Sequence, residues 1–282
     1  MRIFSWSDIM AAYKTKKRLC DSSAVTVGSF DGLHRGHRAL IARMDNYIQT
    51  CAEKPAQCAV TFSRPTRAKK NETYLGDILT LPLKLKLFRE LGFDFVIVID
   101  FSEKFARMSG QKFFEILVKT ICMNALFVGH DFSCGFRHRT DSKALEKISA
   151  AYAFVFDSIE RVSADGLEVS SSAIRQALSK ADFAKAEKLL GYSFLLDISN
   201  AGFERLSAYE WEAPTENFVQ VLPPSGTYEV ELFTVEGFKL PACCIISERS
   251  VLVRIAENFD TRSDRTVAAE SLWLKKYYVK FI

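Results

Sequence analysis

The sequence predicts an α/β protein: a mostly parallel sheet covered by helices, followed by a small antiparallel β-barrel or sandwich. Three observations predict it. From residue 24 to about 190, β-branched strand-like runs alternate with helix-like stretches, the order that produces a parallel sheet. From about residue 200 the rhythm changes to short alternating segments separated by Pro-Pro-Ser-Gly and Ser-Glu-Arg-Ser, as expected of a small all-β domain. The length of 282 residues, with 48% hydrophobic and 26% charged residues, suits two globular domains. We place them at 1–194 and 195–282, with the boundary in the Gly191–Asn200 stretch.

The elements are read in order. Ala24–Gly28 is a strand followed by a helix over about 36–52, and Gln57–Phe62 a strand followed by a helix over about 80–91. Phe93–Asp100 precedes a helix over about 109–122, and Ala125–Gly129 one over about 140–152. A run at Tyr152–Phe156 and a final helix over about 172–190 complete the first part. In the second part, strands are expected at Phe218–Leu222, Tyr228–Thr234, Ala242–Ile246, Val251–Ala256 and Lys276–Ile282. No internal repeat is present.

Net charge is only +4 with basic residues scattered, so composition calls for neither a nucleic-acid nor a membrane partner. The start, Met1-Arg-Ile-Phe-Ser-Trp-Ser, is unlike a signal peptide, and no apolar run approaches the roughly 20 residues that span a bilayer. A cytoplasmic protein is expected. The seven cysteines are odd in number and form no C-x-x-C pair, which points to reduced thiols packed as small apolar residues, with Cys243-Cys244 inside a strand.

The chain is organised around residues 24–41, where a buried strand passes through Gly28-Ser29-Phe30-Asp31-Gly32-Leu33-His34-Arg35-Gly36-His37 into a helix. Glycine at the strand exit permits a sharp turn, and a helix beginning near Gly36 aims unpaired N–H groups and a positive dipole end at whatever lies above. His34 and His37, three apart, can face one anion; as an isolated pair they suit a metal equally. The flanking glycines, the preceding strand and the lack of nearby Cys or carboxylate clusters favour the anion.

Three more constellations follow predicted strands or open a helix, in the region where ligands bind in open α/β sheets. Thr61-Phe62-Ser63-Arg64-Pro65-Thr66-Arg67 offers two arginines to an anion, although exposed Arg is commonly just solvated. Gly129-His130-Asp131-Phe132-Ser133-Cys134-Gly135-Phe136 combines turn residues with aromatics that a plain turn does not need. Ser170-Ser171-Ser172-Ala173-Ile174-Arg175 reads as a serine-capped helix start that also offers hydroxyls, N–H groups and a guanidinium to phosphate oxygens.

Two helix N-termini, two histidines and an arginine suggest chemistry on a triphosphate. No Gly-x-x-x-x-Gly-Lys-Ser/Thr occurs, which excludes a P-loop enzyme, and no Ser/His/Asp or Cys/His grouping indicates covalent catalysis. Direct transfer fits better. A phosphate attacking the α-phosphorus of ATP is already ionised and needs no general base, so catalysis reduces to alignment and charge stabilisation. His34 and His37, protonated or as N–H donors, supply that with Arg175, and Mg2+ is the expected charge partner.

The run from Gly28 to His37 resembles the His-x-Gly-His motif of the bacterial bifunctional riboflavin kinase/FAD synthetase family. The likeness continues through Leu79-Thr80, Phe101–Ser109 with Phe113-Phe114, the Gly129–Gly135 loop and Ser170–Arg175, in the same order over about residues 20–194. It implies a Rossmann-like FMN adenylyltransferase module that makes FAD from ATP and FMN. By that resemblance His34, His37 and Arg175 are catalytic, and Gly28, Ser29, Phe30, Asp31, Gly36, Ser171 and Ser172 hold the nucleotide. Phe62, Arg64, Asp131 and Phe132 fall on the flavin side. Metal ligands are not implied. Ser29 replaces the family's Asn, and Ser63–Thr66 departs from its Thr-Phe-Glu/Asp-Pro-His-Pro, with Arg64 as a substitute anion contact.

The second part is similar to the family's riboflavin kinase barrel only in Pro214-Thr215-Glu216-Asn217 and Leu222–Tyr228. Glu212 stands at a motif glycine and Leu252 where the family has its catalytic Glu. A ribityl hydroxyl must lose its proton to be phosphorylated, so that chemistry needs a base, and little or no kinase activity is expected. Two other readings fit the same residues: a flavin- or nucleotide-binding protein without catalysis, and an adenylyltransferase for another phosphorylated small molecule.

Overall fold

The computed structural model describes residues 1–63, 74–135, 140–234, 239–255 and 277–281. The chain forms two compact units, one of Met1–Glu72 with Lys84–Glu168, the other of Thr73–Leu83 with Val169–Ile282.

In chain order the elements up to residue 168 are β1 (Arg2–Ser5), α1 (Trp6–Lys14), β2 (Ser23–Val27), α2 (Arg35–Thr50), β3 (Ala56–Phe62), α3 (Leu81–Glu90), β4 (Phe95–Ile99), α4 (Glu103–Ala106), α5 (Gly110–Ile121), β5 (Met123–Gly129), α6 (Ser142–Tyr152), β6 (Val155–Ile159), β7 (Ser163–Ala164) and β8 (Leu167–Glu168). The first six strands pair in parallel, in the order β1-β4-β3-β2-β5-β6. β2 is buried along its whole length, as a central parallel strand covered on both faces must be. From β2 the chain builds outward through β3 and β4, then returns to the other side of β2 with β5. That reversal creates a crevice beyond the carboxyl ends of β2 and β5, the usual ligand position in such sheets.

The core of this unit joins Val25, Val27, Val60, Phe95, Ile97, Leu126 and Val128 from the sheet to Phe113, Phe114 and Leu117 from α5. Amphipathic periodicity explains α5: its buried residues recur at helical spacing, and the chain leaves it through Cys122 at φ 47°. The N-terminal strand and helix lie outside the expected alternation. A capping box at Ser5 and Asp8 opens α1, with the Asp8 carboxylate accepting the Ser5 N–H at 2.8 Å.

The second unit contains α7 (Ser171–Leu178), α8 (Phe183–Leu190), β9 (Leu195–Asp197), β10 (Glu204–Arg205), β11 (Glu210–Pro214), β12 (Gly226–Thr234), β13 (Lys239–Ile246), β14 (Ser250–Ile255) and β15 (Tyr277–Phe281). The expected helix over 172–190 is two helices. Ala181 takes φ 55° and the Asp182 side chain caps α8 through the Lys185 N–H at 3.0 Å, so the helical ladder stops and restarts there. The strands form a seven-stranded antiparallel half-barrel, ordered β10-β11-β14-β13-β12-β15-β9. Cys243 and Cys244 lie in β13, as read from the sequence. Phe218–Leu222 is not a regular strand. Thr215–Asn217 makes a 3-10 turn, and Gln220 forms an isolated parallel bridge to Asp77. Among the described residues no helix is long and apolar enough to cross a membrane.

Candidate active site

β2 ends at Val27, and residues 28–34 cross from it to α2. Phe30, Gly32 and Leu33 have φ values of 48°, 90° and 36°. For non-glycine residues such angles cost on the order of 1 kcal/mol or more and persist only where packing fixes them. Here packing does: Phe30 and Leu33 are fully buried. The Phe30 ring meets Phe88 edge-on at 5.4 Å and His37 at 5.1 Å. A Cβ on Gly28 would come within 3.2 Å of the Phe30 ring, which is the local need for glycine at the strand exit.

His34 is the N-cap of α2, its Nδ1 accepting the His37 backbone N–H at 3.4 Å. A nitrogen that accepts carries no proton, so neutral His34 holds its ring proton on Nε2. The His34 and His37 rings stack with 3.7 Å between centroids and 16° between planes. Burial first, the His34 charge second and the Lys84 ammonium third hold His37 well below the ordinary imidazole range. At neutral pH His37 is therefore an uncharged N–H donor rather than a cation. Its Nδ1 is buried and has no hydrogen-bond partner among the described residues, and a buried polar atom of that kind suits a ligand oxygen.

Beneath the crossing, Lys84 is 2% exposed. Its Nζ donates to the Ser29 carbonyl at 2.8 Å and to the Phe62 carbonyl at 3.5 Å. The Thr61 hydroxyl donates to the same Ser29 oxygen at 3.2 Å. Asp31 is also buried, and Gly36 lies in the first turn of α2.

Across the switch point, β5 opens into the Gly129–Gly135 loop. Asp131 is exposed there, and Phe132 is half-buried, with its N–H donating to the Gly129 carbonyl at 3.0 Å. The loop rides on the start of α5: with Gly135 at φ 75°, a Cβ would lie 2.6 Å from the Gly110 nitrogen. Arg161 Nε donates to His130 Nε2 at 2.8 Å, tying the exits of β5 and β6 together. Phe62, at the end of β3, meets Phe101 and Phe105 edge-on at 5.8 and 6.2 Å. Thus the first unit brings Gly28, Ser29, Phe30, Asp31, His34, Gly36 and His37 together on one crossing, with Asp131 and Phe132 on the next loop. Arg64 lies outside the described residues.

Ser171, Ser172 and Arg175 belong to the second unit. The cap of α7 is Ser170, whose hydroxyl accepts the Ala173 N–H at 3.2 Å, leaving Ser171 half-buried and Ser172 exposed. Arg175 is 8% exposed. Its Nε donates to the Gly76 carbonyl at 2.8 Å and its guanidinium lies 5.0 Å from the Tyr74 ring centre.

Sequence reasoning missed Lys84 and Tyr74. For Lys84 a signal exists. In Leu81-Pro-Leu-Lys-Leu-Lys-Leu-Phe88, helical spacing puts Lys84 on the face of Leu87 and Phe88, so a cation sits on an otherwise apolar stripe.

The FAD synthetase family model matches residues 16–173, more than half of the chain. The bifunctional riboflavin kinase/FMN adenylyltransferase of Pseudomonas fluorescens is 32% identical over 235 residues, covering 79% of this chain and 72% of that protein. Its counterpart in Escherichia coli K12 is 29% identical over 247 residues, covering 85% and 77%. A solved structure described as a macrolide-efflux protein from Streptococcus pneumoniae superposes with a TM-score of 0.74 at 20% identity, covering 100% of this chain and 90% of that one; that likeness concerns the fold. With its parallel sheet, its histidine-bearing crossing and these matches, the chain belongs to the FAD synthetase family.

Proposed function

We propose that this member of the FAD synthetase family is an FMN adenylyltransferase. A phosphate oxygen of FMN attacks the α-phosphorus of ATP; the new P–O bond forms as the bond from the α-phosphorus to the bridging oxygen breaks, giving FAD and pyrophosphate. The attacking oxygen is already ionised, so the protein aligns the reactants and stabilises charge. The observation that carries this reading is the stacked His34–His37 pair at the N-terminus of α2, beside the switch point of the sheet. His34 Nε2–H and the His37 ring N–H donate to the phosphates without bringing two cations together. The helix N-terminus adds its unpaired N–H groups. In this reading Ser171, Ser172 and Arg175 complete the nucleotide contacts, and Phe62, Arg64, Asp131 and Phe132 serve the flavin.

Magnesium enters with ATP. It takes most of its ligands from phosphates and water, with one or two carboxylates. It therefore requires no cluster of three ligating side chains, and among the described residues there is none. We place the reaction in the cytoplasm, where ATP is supplied.

We further propose that the second domain, 195–282, does not phosphorylate riboflavin. The Thr215 hydroxyl donates to the Glu248 carbonyl at 3.0 Å and the Asn217 amide to the Ala201 carbonyl at 2.8 Å, so the Thr215 and Asn217 side chains are engaged by their own chain. Leu252, paired with Glu212 across β14 and β11, offers no base.

The test incubates the protein with magnesium, ATP and either FMN or riboflavin and separates the flavins chromatographically. FAD from FMN, with no FMN from riboflavin, is expected. No product from either flavin would mean a flavin- or nucleotide-binding protein, and turnover of a different phosphorylated acceptor would mean another adenylyltransferase.

A further inference from the structure

A buried ammonium is costly unless oxygens surround it, so the position of Lys84 needs a reason. Its Nζ reaches the Ser29 carbonyl at 2.8 Å and the Phe62 carbonyl at 3.5 Å. Ser29 is the second residue of the crossing between β2 and α2, and its carbonyl also receives the Thr61 hydroxyl at 3.2 Å. One carbonyl thus has two donors, from β3 and α3, beneath it.

The peptide between Ser29 and Phe30 is trans and planar, so its C=O and the Phe30 N–H point in opposite directions. With the carbonyl drawn inward to Lys84 and Thr61, the Phe30 N–H turns outward, to the side away from them. Phe30 is held in the left-handed region at φ 48° with its ring locked between Phe88 and His37, so the next turn of the backbone is fixed as well. The ring that packs on Phe30 is the same imidazole whose buried Nδ1 has no hydrogen-bond partner among the described residues.

We propose that Lys84 is a positioning residue for adenylyl transfer: by holding the Ser29 carbonyl it aims the Phe30 N–H, together with the His37 ring, at the phosphate oxygens on which charge grows. The proposal rests on the adenylyltransferase reading and extends it. In this role Lys84 need not touch substrate. It acts through the backbone of the crossing, and Thr61 is its partner in that task.

The experiment compares wild type, Lys84→Met, Lys84→Arg and Thr61→Val by FAD formation and by calorimetric binding of magnesium pyrophosphate, with near-UV circular dichroism as a check on the fold. A lost hydrogen bond from a charged donor corresponds to about 10- to 100-fold. Lys84→Met is expected to lower kcat by that factor with KM for FMN unchanged, and to weaken pyrophosphate binding. Lys84→Arg should recover part of both, and Thr61→Val, which removes only the neutral donor, should show a smaller loss of the same kind. Should Lys84→Met fail to fold, Thr61→Val decides alone. Unchanged kcat and pyrophosphate affinity in the folded variants would overturn the proposal, as would a rise in KM for FMN with constant kcat. If wild type binds pyrophosphate but makes no FAD, the adenylyltransferase reading fails while the binding comparison still judges Lys84. If wild type binds no pyrophosphate, the role assigned to Lys84 fails too.

Discussion

The His34 ring lies 3.7 Å from the His37 ring, nearly parallel to it, and His34 Nδ1 accepts the backbone N–H of the same His37. One imidazole therefore caps a helix with one nitrogen, and in the adenylyltransferase reading its other nitrogen donates to a phosphate. The two duties can be separated. Asn is among the best N-cap residues, whereas Ala loses the cap at a cost of about 1 kcal/mol. His34→Asn is expected to keep the thermal stability of wild type and His34→Ala to lose it. Both should lower kcat by about 100- to 1000-fold, the usual effect of removing one donor to a charge-developing oxygen. Equal melting temperatures for the two variants would contradict the capping role.

The lowered pKa of His37 fixes the sign of a pH effect on stability. In the unfolded chain its imidazole takes up a proton near 6.5, in the folded chain only well below that. Between those values the unfolded state holds the extra proton, so stability rises with pH across the window and is lost as pH falls below 6.5. Above 6.5 both states are neutral and the contribution is flat. His37→Asn removes this linkage. Melting curves between pH 7 and 5 should therefore show a shallower decline for His37→Asn than for wild type, all carboxylates being common to both.

Most of the first unit is legible in the sequence because a parallel sheet writes itself as long apolar runs separated by helices, and each run is punctuated by glycine or a cap. β2, β3 and α5 follow the expected bounds within two residues. The pattern passes over short elements whose signals are local. These include the capping box of α1 and the β7–β8 hairpin, turned by Asp165-Gly166 at φ 50° and 77°. The histidine crossing is legible because glycines and histidines at fixed spacing have few other uses. Lys84 is not read as functional, since a lysine in a helix is normally solvated and its burial depends on β3 and the crossing packing against it. Arg175 shows the reverse. Its place at a helix start suggests a free guanidinium, while the fold has set it against Tyr74 and Gly76, about 100 residues away in the chain.

Gln220 is a buried hub within the second unit. Its amide donates to the Ile78 and Leu195 carbonyls, both at 2.8 Å, and its oxygen accepts the Asp197 N–H at 2.7 Å. Gln220→Leu would remove three hydrogen bonds to backbone groups in the interior, and a buried backbone group that loses its partner costs about 1–3 kcal/mol. A loss of at least about 3 kcal/mol is expected in urea denaturation. A change below about 1 kcal/mol would show that water or a shifted backbone replaces the amide.

The contacts of Arg175 tie stability to activity. Its Nε donates to the Gly76 carbonyl, and Gly76 is a position where no side chain fits: at φ 115°, a Cβ would lie 2.6 Å from the Val221 nitrogen. The guanidinium therefore supports a backbone segment that must approach Val221 closely. Lysine, with a single ammonium at a different reach, cannot reproduce the directed Nε–H donor and the stacking on Tyr74 together. Arg175→Lys and Arg175→Ala are both expected to lose about 1.5–3 kcal/mol of stability as well as FAD-forming activity. Chemical denaturation followed by tryptophan fluorescence measures the first and flavin chromatography the second. If Arg175→Ala abolished FAD formation while its denaturation midpoint matched wild type, the guanidinium would belong to the ligand alone and the clamp on Gly76 would contribute nothing to the fold.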